Sequence, residues 1–372
     1  MTRTIYLDHN ASSALRPEAR TAMLEALEAT GNASSVHRFG RAARRRVEDA
    51  REAVAALAGV APARVVFTAG ATEANNWVIT GCARAGRRIV TSTVEHDSVL
   101  AAALAARVPV DNEGLLNLDA LEARLGEEGR PALVSVLAAN NETGVLQPVT
   151  EAAAIARRSG ALVHCDAVQL AGKAPLDVDA LDADFVSLSA HKLGGPQGVG
   201  ALILRDGVAL PPMLVGGGQE QRRRAGTENV AAIAGFGAAA RAALGGLDDF
   251  ARLAVMRDRL EGRIVETFPD TVVFGAGAQR LVNTSCLAMP GLTAETQLMA
   301  FDLAGIAVSA GAACSSGKIA ESHVLRAMGA EPMTAATAIR VSLGWNTTQG
   351  DIDAFVDAWI ALRRRNAATV AA

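Results

Sequence analysis

Aromatic residues, cysteines and long apolar runs are scarce in this chain of 372 residues, and each scarcity excludes a class of protein. Aromatics make up 3% of the residues although 50% are hydrophobic, so the core must be built mainly from Ala, Val and Leu. No apolar run is long enough to cross a membrane, and no charged-then-apolar leader opens the chain. The formal net charge of -3 gives no general attraction to nucleic acid or to anionic membranes. These absences predict a soluble, cytoplasmic protein without a signal peptide that binds neither nucleic acid nor a membrane.

The cysteines are widely spaced and form no C-x-x-C pair; they are Cys82, Cys165, Cys286 and Cys314. This spacing predicts free thiols in a reducing compartment rather than a zinc site or a disulfide framework. His164-Cys165-Asp166 has the composition of a metal cluster, but side chains that follow one another on a strand face opposite sides of the sheet. Three ligands cannot converge there, and we expect no metal site.

Cys314 lies within a run of small residues and glycines, Ser309 to Gly317, and this composition is the most flexible in the chain. A structural cysteine is normally packed among large apolar side chains. A thiol on such a loop favours a nucleophile that must travel, with an accidentally exposed thiol as the alternative. The other three cysteines occur in helix or strand settings, and we expect them to be structural.

Apolar strands alternate with helices through the first part of the chain. The predicted strands cover residues 65–68, 89–91, 132–137, 161–165, 185–188 and 200–204, with a helix expected after His96. Repeated β-α-β units of this kind predict an α/β fold with a largely parallel sheet covered by helices. A helical stretch over residues 230–268 then leads to a second region of mixed strands and helices, and the length suggests two domains.

Reactive side chains follow five of these strands; they are Thr72, His96, Asn141, Asp166 and Lys192. Because ligands of parallel sheets bind beyond the carboxyl ends of the strands, we expect these side chains to share one site. Lys192 ends a buried strand, where desolvation lowers the pKa of a lysine, and a neutral amine is what a Schiff base requires. The alternative is a lysine that points to solvent as the following loop begins.

Several residues near these positions allow two interpretations each. Gly70-Ala71-Thr72 predicts an anion site formed by free amides and the helix dipole, or a plain N-cap. Asp166, with Gln169 just beyond it, suits the partner of a pyridinium nitrogen. His96 is either an ordinary histidine or a ring that stacks on a cofactor and moves protons. Arg340 lies in an apolar strand and needs an anion, either a fixed salt bridge or a substrate carboxylate.

Together these residues form a recognisable pattern: the chain resembles the cysteine desulfurases, within the class V aminotransferase-like branch of the fold-type I pyridoxal phosphate enzymes. The segment around Cys314 is similar to that of the group with a long mobile cysteine loop. The likeness runs nearly end to end, through Tyr6-Leu7-Asp8 to Ser13, Gly31-Asn32 to Gly40, Phe67-Thr68 to Asn75, Glu95-His96, Asn140 to Val145, Asp166 to Gln169, Ser189 to Pro196, Gly226-Thr227, Ser309 to Ser315 and Ile339 to Gly344.

The resemblance implies a large pyridoxal 5'-phosphate-binding domain over residues 14–249, with a mainly parallel sheet sandwiched between helices. It implies a smaller α+β domain, formed by residues 1–13 with 250–372, that carries the cysteine loop. The implied reaction converts L-cysteine to L-alanine and leaves the sulfur as a persulfide on Cys314. That sulfur would then supply iron–sulfur cluster assembly or a related thiolation through an acceptor or scaffold protein.

The resemblance also implies roles for single residues. Lys192 would bind the cofactor covalently, His96 would stack on its ring, and Cys314 would take the sulfur, so these three are the implied catalytic residues. Asp166 would contact the pyridine nitrogen, and Gln169 the phenolic oxygen. The cofactor phosphate would be held by Thr72, Ser189 and His191, joined by Thr227 from the second subunit of a homodimer, and Ala71 would also bind the cofactor. The carboxylate end of the substrate would be bound by Asn141, which also contacts the cofactor, and by Arg340.

Two departures from the family pattern limit what the resemblance implies. Ser12-Ser13 stands where relatives commonly have two threonines. The sequence stops soon after Arg365, whereas housekeeping members carry a longer tail that docks the iron–sulfur scaffold, so the sulfur acceptor stays undecided. The alternatives are a selenocysteine lyase or another pyridoxal phosphate-dependent lyase or aminotransferase of the same fold, and a non-catalytic α/β protein that binds a small molecule or nucleotide.

Overall fold

The computed structural model describes residues 4–102, 104–127, 131–310 and 321–370. The strands are β1 Ile5–Tyr6, β2 Val65–Thr68, β3 Arg88–Ser92, β4 Ala105–Val108, β5 Ala132–Leu137, β6 Leu162–Asp166, β7 Phe185–Ser189, β8 Gly200–Leu204, β9 Val272–Val273, β10 Thr284–Ala288, β11 Ile306–Ala307, β12 Ser309–Ala310 and β13 Ala338–Ser342. The helices are α1 Pro17–Glu28, α2 Arg38–Ala58, α3 Ala71–Arg84, α4 Asp97–Leu100, α5 Leu118–Gly126, α6 Val149–Arg158, α7 Val230–Gly245, α8 Leu247–Ala251, α9 Leu253–Thr267, α10 Ala294–Leu303, α11 His323–Ala327, α12 Pro332–Ala335 and α13 Gln349–Val370.

The main sheet has the order β2-β8-β7-β6-β5-β3-β4. Strands β4, β3, β5, β6 and β7 run parallel to one another, whereas β8 is antiparallel to both β7 and β2. Every residue of β5, β7 and β8 is buried, which is why these strands are mostly apolar and contain serine as their only polar residue type. The prediction of a largely parallel sheet covered by helices is confirmed.

The helices pack through small side chains, as the shortage of aromatics predicted. Helix α7 lies against α1 and α2, and a Cβ added at Gly237 would come 2.5 Å from the Cα of Ala50. The main core is dominated by Ala, Val and Leu, with Phe67 and Phe236 among its few rings. Close backbone approach therefore substitutes for large side chains in filling this layer.

The helix expected after His96 is confirmed but short, Asp97–Leu100, and the chain then forms β4, an edge strand that the sequence pattern did not predict. The helical stretch expected over residues 230–268 is confirmed and consists of α7, α8 and α9, with α8 beginning just after Gly246. In the described ranges no single helix is long and apolar enough to cross a membrane. Helix α7 and the segment Leu247–Thr267 together have the length and composition of a membrane span, but the two are bent by 67° relative to each other.

The remaining elements build a separate layer with its own core. Strands β12-β13-β10-β9 form an antiparallel sheet, and β1 pairs in parallel with β11 about 300 residues further along the chain. Its apolar cluster is distinct from that of the main sheet and contains Leu7 together with Phe301, Phe355 and Trp359. This matches the expected α+β region, and the division at residues 14–249 stays a prediction.

Candidate active site

A cavity of about 730 Å³ opens at the carboxyl ends of the main-sheet strands, and we call it the strand-end cavity. Parallel strands bring the residues that follow them to one edge, so positions far apart in the sequence meet here. The predicted site residues that line it are Ala71, Thr72, His96, Asn141, Asp166, Gln169, Ser189, His191, Lys192 and Arg340. Its lining also includes Asn10, Asn75 and Ser309.

Lys192 lies in the short 3₁₀ turn that follows β7, with its amine directed at the N-terminal segment rather than at solvent. Its Nζ donates to the backbone oxygens of Asn10 at 2.7 Å and Ala11 at 2.8 Å. Burial and the nearby Arg340 guanidinium lower the pKa of Lys192 to about 8, against smaller opposing effects of Asp8 and Asp166. A neutral amine is therefore accessible near physiological pH.

Asp166 ends β6, is 7% exposed and is held by two donors. The Asn75 side-chain amide donates to Oδ2 at 2.7 Å, and the Val168 backbone N–H donates to Oδ1 at 3.1 Å. Asn75 also donates to Ser98 Oγ at 2.8 Å, so helix α3 fixes the direction of this carboxylate. Sequence reasoning missed Asn75, although it lies one helical turn beyond the predicted anion site.

His96 caps helix α4 through its ring. The Ser98 backbone N–H donates to Nδ1 at 3.1 Å, so this nitrogen acts as an acceptor and fixes the orientation of the ring. The side chain lines the strand-end cavity and is exposed in the single chain. An aromatic plane held in this way can stack on a flat ligand.

The turn before helix α3 is built for an anion. The N-cap is Gly70 and carries no side-chain cap, so the N-cap interpretation of Thr72 was wrong. Ala71 and Thr72 open a helix of 14 residues, where free amides and the helix dipole favour a negative group. Across the cavity, burial and the charges of Lys192 and Lys173 lower the pKa of His191 to about 4, so its ring is neutral at physiological pH.

Arg340 has an acidic partner that the sequence reasoning missed. Its Nη2 donates to Asp8 Oδ1 at 2.7 Å and its Nη1 to the Asn141 backbone oxygen at 3.0 Å. Its Nε is buried and has no hydrogen-bond partner in the described part of the chain. Arg340 thus forms a fixed salt bridge and also lines the cavity, and its Nε is a buried donor without an acceptor among the described residues.

The remaining sequence predictions fall outside this cavity or outside the described residues. Cys314 lies outside the described residues, whereas Ser309, five residues before it, lines the cavity. Thr227 is exposed and does not line the cavity of its own chain. Cys82, Cys165 and Cys286 are free and buried, as expected for structural residues, and burial raises the pKa of each thiol.

His164 belongs to the protein core rather than to a ligand site. Its Nδ1 lies 2.8 Å from Ser135 Oγ and its Nε2 lies 3.0 Å from Ser187 Oγ. Burial lowers the pKa of the ring to about 4, so both nitrogens serve neutral hydrogen bonds between neighbouring strands.

Comparison with known proteins gives a consistent picture. Residues 5–355 match the family model described as aminotransferase class-V. A cysteine desulfurase of Cereibacter sphaeroides is 47% identical over 368 residues, covering 95% of this chain and 94% of the relative. An IscS-like cysteine desulfurase of Mycobacterium tuberculosis is 39% identical and covers 99% of this chain and 98% of the relative. The X-ray structure of a NifS-like protein from Rickettsia africae superimposes with a TM-score of 0.89 at 34% identity, covering 96% of this chain and 98% of that one.

Proposed function

We infer from its site and its relatives that this chain, which belongs to the aminotransferase class-V family, is a pyridoxal 5'-phosphate-dependent cysteine desulfurase. The reaction converts L-cysteine to L-alanine and passes the sulfur on. The observation that best supports the residue roles is that Lys192 and Asp166 line the same cavity. The lysine is a buried amine whose pKa lies near 8, and the carboxylate is fixed by two donors.

The donor set of the strand-end cavity fits pyridoxal phosphate. The uncapped start of helix α3 at Ala71 and Thr72, with Ser189 and the neutral His191, would hold the phosphate. Lys192 would bind the cofactor covalently, and Asp166 would accept a hydrogen bond from the pyridine nitrogen. When bound, the cofactor supplies an electron sink that makes the α-carbon of the substrate acidic.

Each side chain around the ring has a role that its contacts allow. The Lys192 amine removes the proton from the substrate α-carbon, because its lowered pKa makes the neutral base available. Gln169 would donate from its amide nitrogen to the phenolic oxygen of the cofactor, and His96 would stack on its ring, since both side chains line the cavity. These contacts orient the substrate and exclude water from the reacting carbon.

Arg340 and Asn141 bind the carboxylate end of the substrate. Arg340 is 4% exposed, and its guanidinium is already engaged by Asp8, which keeps it in one orientation at the cavity. A planar, pre-oriented guanidinium recognises carboxylates with well-defined geometry. An α-amino acid would thus be held by its carboxylate while Lys192 faces its α-carbon.

Cys314 is the proposed sulfur acceptor within the enzyme. Its thiolate attacks the substrate sulfur, and the carbon–sulfur bond of the substrate breaks. The electron pair of that bond stays with the substrate carbon. Protonation of that carbon gives alanine, and the new sulfur–sulfur bond leaves a persulfide on Cys314, so no external oxidant is needed. The position of Ser309 in the cavity lining supports this role, because the cysteine segment starts from the site.

The finer assignments concern partners. Thr227 is exposed and away from its own cavity, which supports a role in the phosphate site of a second copy and hence a homodimer. The persulfide would pass to a sulfur acceptor or an iron–sulfur scaffold protein in the cytoplasm. No sequence feature identifies which one.

The test measures alanine and sulfide formed from L-cysteine with a reductant, for the wild type and Cys314→Ala. Cys82→Ala is the matched control, since it also removes a thiol but one buried at 3% exposure in an apolar cluster. We expect equal alanine and sulfide from the wild type and the control and neither from Cys314→Ala. Undiminished turnover in Cys314→Ala would move the assignment to a lyase, which L-selenocysteine as substrate would then test.

A further inference from the structure

A second lysine lies behind the strand-end cavity. Lys173 is 5% exposed, and its Nζ donates to Asn10 Oδ1 at 2.7 Å and to Gln169 Oε1 at 2.5 Å. Both partners line the cavity, whereas Lys173 itself does not. In the described ranges, no carboxylate comes within ion-pair distance of its amine. Burial and the charges of Lys192 and Arg340 lower the pKa of Lys173 well below its usual value, so hydrogen bonds rather than an ion pair hold this amine in place.

The contacts of Lys173 define the orientation of two amides. Gln169 Nε2 donates to the Asn10 backbone oxygen at 3.0 Å, and Asn10 Nδ2 donates to the Asn141 backbone oxygen at 3.2 Å. Because a carbonyl can only accept, these contacts identify the nitrogen end of each amide. Both oxygen ends therefore face Lys173, and its amine donates to each of them.

The two partners depend on Lys173 to different degrees. Asn10 Oδ1 also accepts from the Asn283 side-chain amide at 3.1 Å and would keep that donor without Lys173. Gln169 Oε1 has no other hydrogen bond among the described residues. Removing the lysine would leave this buried oxygen unsatisfied and allow the amide to turn over. Gln169 would then present its oxygen, rather than a donor, to the cavity.

Composition supports a special role for this side chain. Of the 36 lysine and arginine residues in the chain, only Lys173, Lys192 and Lys318 are lysines. The remaining 33 are arginines, so lysine is not the default choice here. A compact amine fits between two amide oxygens, whereas the broad guanidinium of an arginine needs more space and more acceptors.

We propose that Lys173 is a positioning residue that fixes the donor face of Gln169 toward the cofactor oxygen. The inference rests on the proposed function, in which Gln169 contacts the phenolic oxygen and Lys192 carries the cofactor. Asn10 links the two lysines, because its side chain accepts from Lys173 and its backbone oxygen accepts from Lys192 at 2.7 Å. Lys173 thus acts on the reacting centre through Gln169 and Asn10 without touching it.

The test is the pH titration of the visible absorbance of the cofactor-loaded enzyme. A donor at the phenolic oxygen disfavours the protonated cofactor–lysine linkage. In Lys173→Met we therefore expect the pH midpoint of the absorbance change to rise by about one unit. Lys173→Gln is the matched control, since its side-chain amide keeps a donor, and its midpoint should stay near the wild-type value. The other charged or titratable groups around the two lysines stay in place in both variants; they are Asp8, His9, Asp166, His191 and Arg340.

Both substitutions keep a side chain of similar length, and circular dichroism checks that each variant is folded. A wild-type midpoint in folded, cofactor-loaded Lys173→Met would overturn the inference, and so would a midpoint in Lys173→Gln that rises as far as in Lys173→Met. Where Lys173→Met fails to bind the cofactor, Lys173→Leu takes its place under the same criteria. Borohydride reduction followed by intact mass analysis of Lys192→Ala tests the proposed function separately, because a retained cofactor adduct would refute the role of Lys192 alone.

Discussion

The amine of Lys192 is poised between two opposing charges, and each can be removed by one substitution. Burial and Arg340 lower the pKa of Lys192 to about 8, whereas Asp8 and Asp166 raise it. Arg340→Met removes a positive charge and should raise the pKa of the amine. Asp8→Asn removes a negative charge and should lower it. The two residues form one ion pair at 2.7 Å, yet the substitutions are expected to act in opposite directions.

The size of the effect follows from the neutral fraction of the amine. With a pKa of about 8, roughly 9% of Lys192 is neutral at pH 7. The loss of one nearby charge shifts a pKa by about one unit. In Arg340→Met the neutral fraction would fall to about 1%, roughly tenfold lower. In Asp8→Asn it would rise to about half, roughly fivefold higher.

Covalent capture of pyridoxal phosphate by the cofactor-free enzyme reports this fraction, because only the neutral amine reacts. Stopped-flow absorbance from pH 6 to pH 10 would give the capture rate and its midpoint for the wild type and both variants. Circular dichroism checks that each variant is folded. Parallel changes in the two variants, or no change in either, would refute the claim that these charges set the basicity of Lys192.

Other buried groups give further predictions. Burial raises the pKa of Glu95 to about 8. Between about pH 5 and pH 8 this carboxyl is therefore protonated in the folded state and ionised in the unfolded state, so the free energy of unfolding falls as the pH rises through this range. In urea unfolding, Glu95→Gln should remove this slope of about 1.4 kcal/mol per pH unit, and an unchanged slope would contradict it. Asn75→Ala removes a donor to Asp166 and should lower kcat/KM about tenfold, with wild-type turnover as the refuting result. Mixed dimers of Lys192→Ala and Thr227→Ala should recover half of wild-type activity if Thr227 acts in the neighbouring site, but little if it acts in its own.

The strand ends were predictable because each is encoded locally. Short apolar runs that stop at a polar residue indicate where Asp166 and Lys192 lie, and parallel pairing then brings them to one edge. The edge strand β4 was not predictable in this way. Its sequence, Ala-Ala-Arg-Val, has a weak strand preference and follows an alanine-rich stretch, so only pairing with β3 makes it a strand.

The missed site residues depend on contacts that are remote in sequence. Asp8 and Asn10 lie beside a strand of two residues, whose pairing with Ile306–Ala307 is invisible to local patterns. Lys173 follows a glycine in a turn, a setting that favours an exposed lysine, yet the fold buries it against Asn10. Their roles arise from the meeting of distant segments, which periodicity and spacing do not report.

The N-terminal segment connects the two layers of the protein at the site. Its strand β1 pairs with β11, which leads directly into β12 and the segment that contains Cys314. A few residues later, the backbone oxygens of Asn10 and Ala11 accept from Lys192, the last residue of the turn after β7. Because an extended chain spans only about 3.3 Å per residue, a connection this short limits how far β11 can move from the lysine. Residues 5–11 therefore fix the distance between the start of the cysteine segment and the Lys192 amine. Neither the main sheet nor the smaller sheet could fix that distance alone.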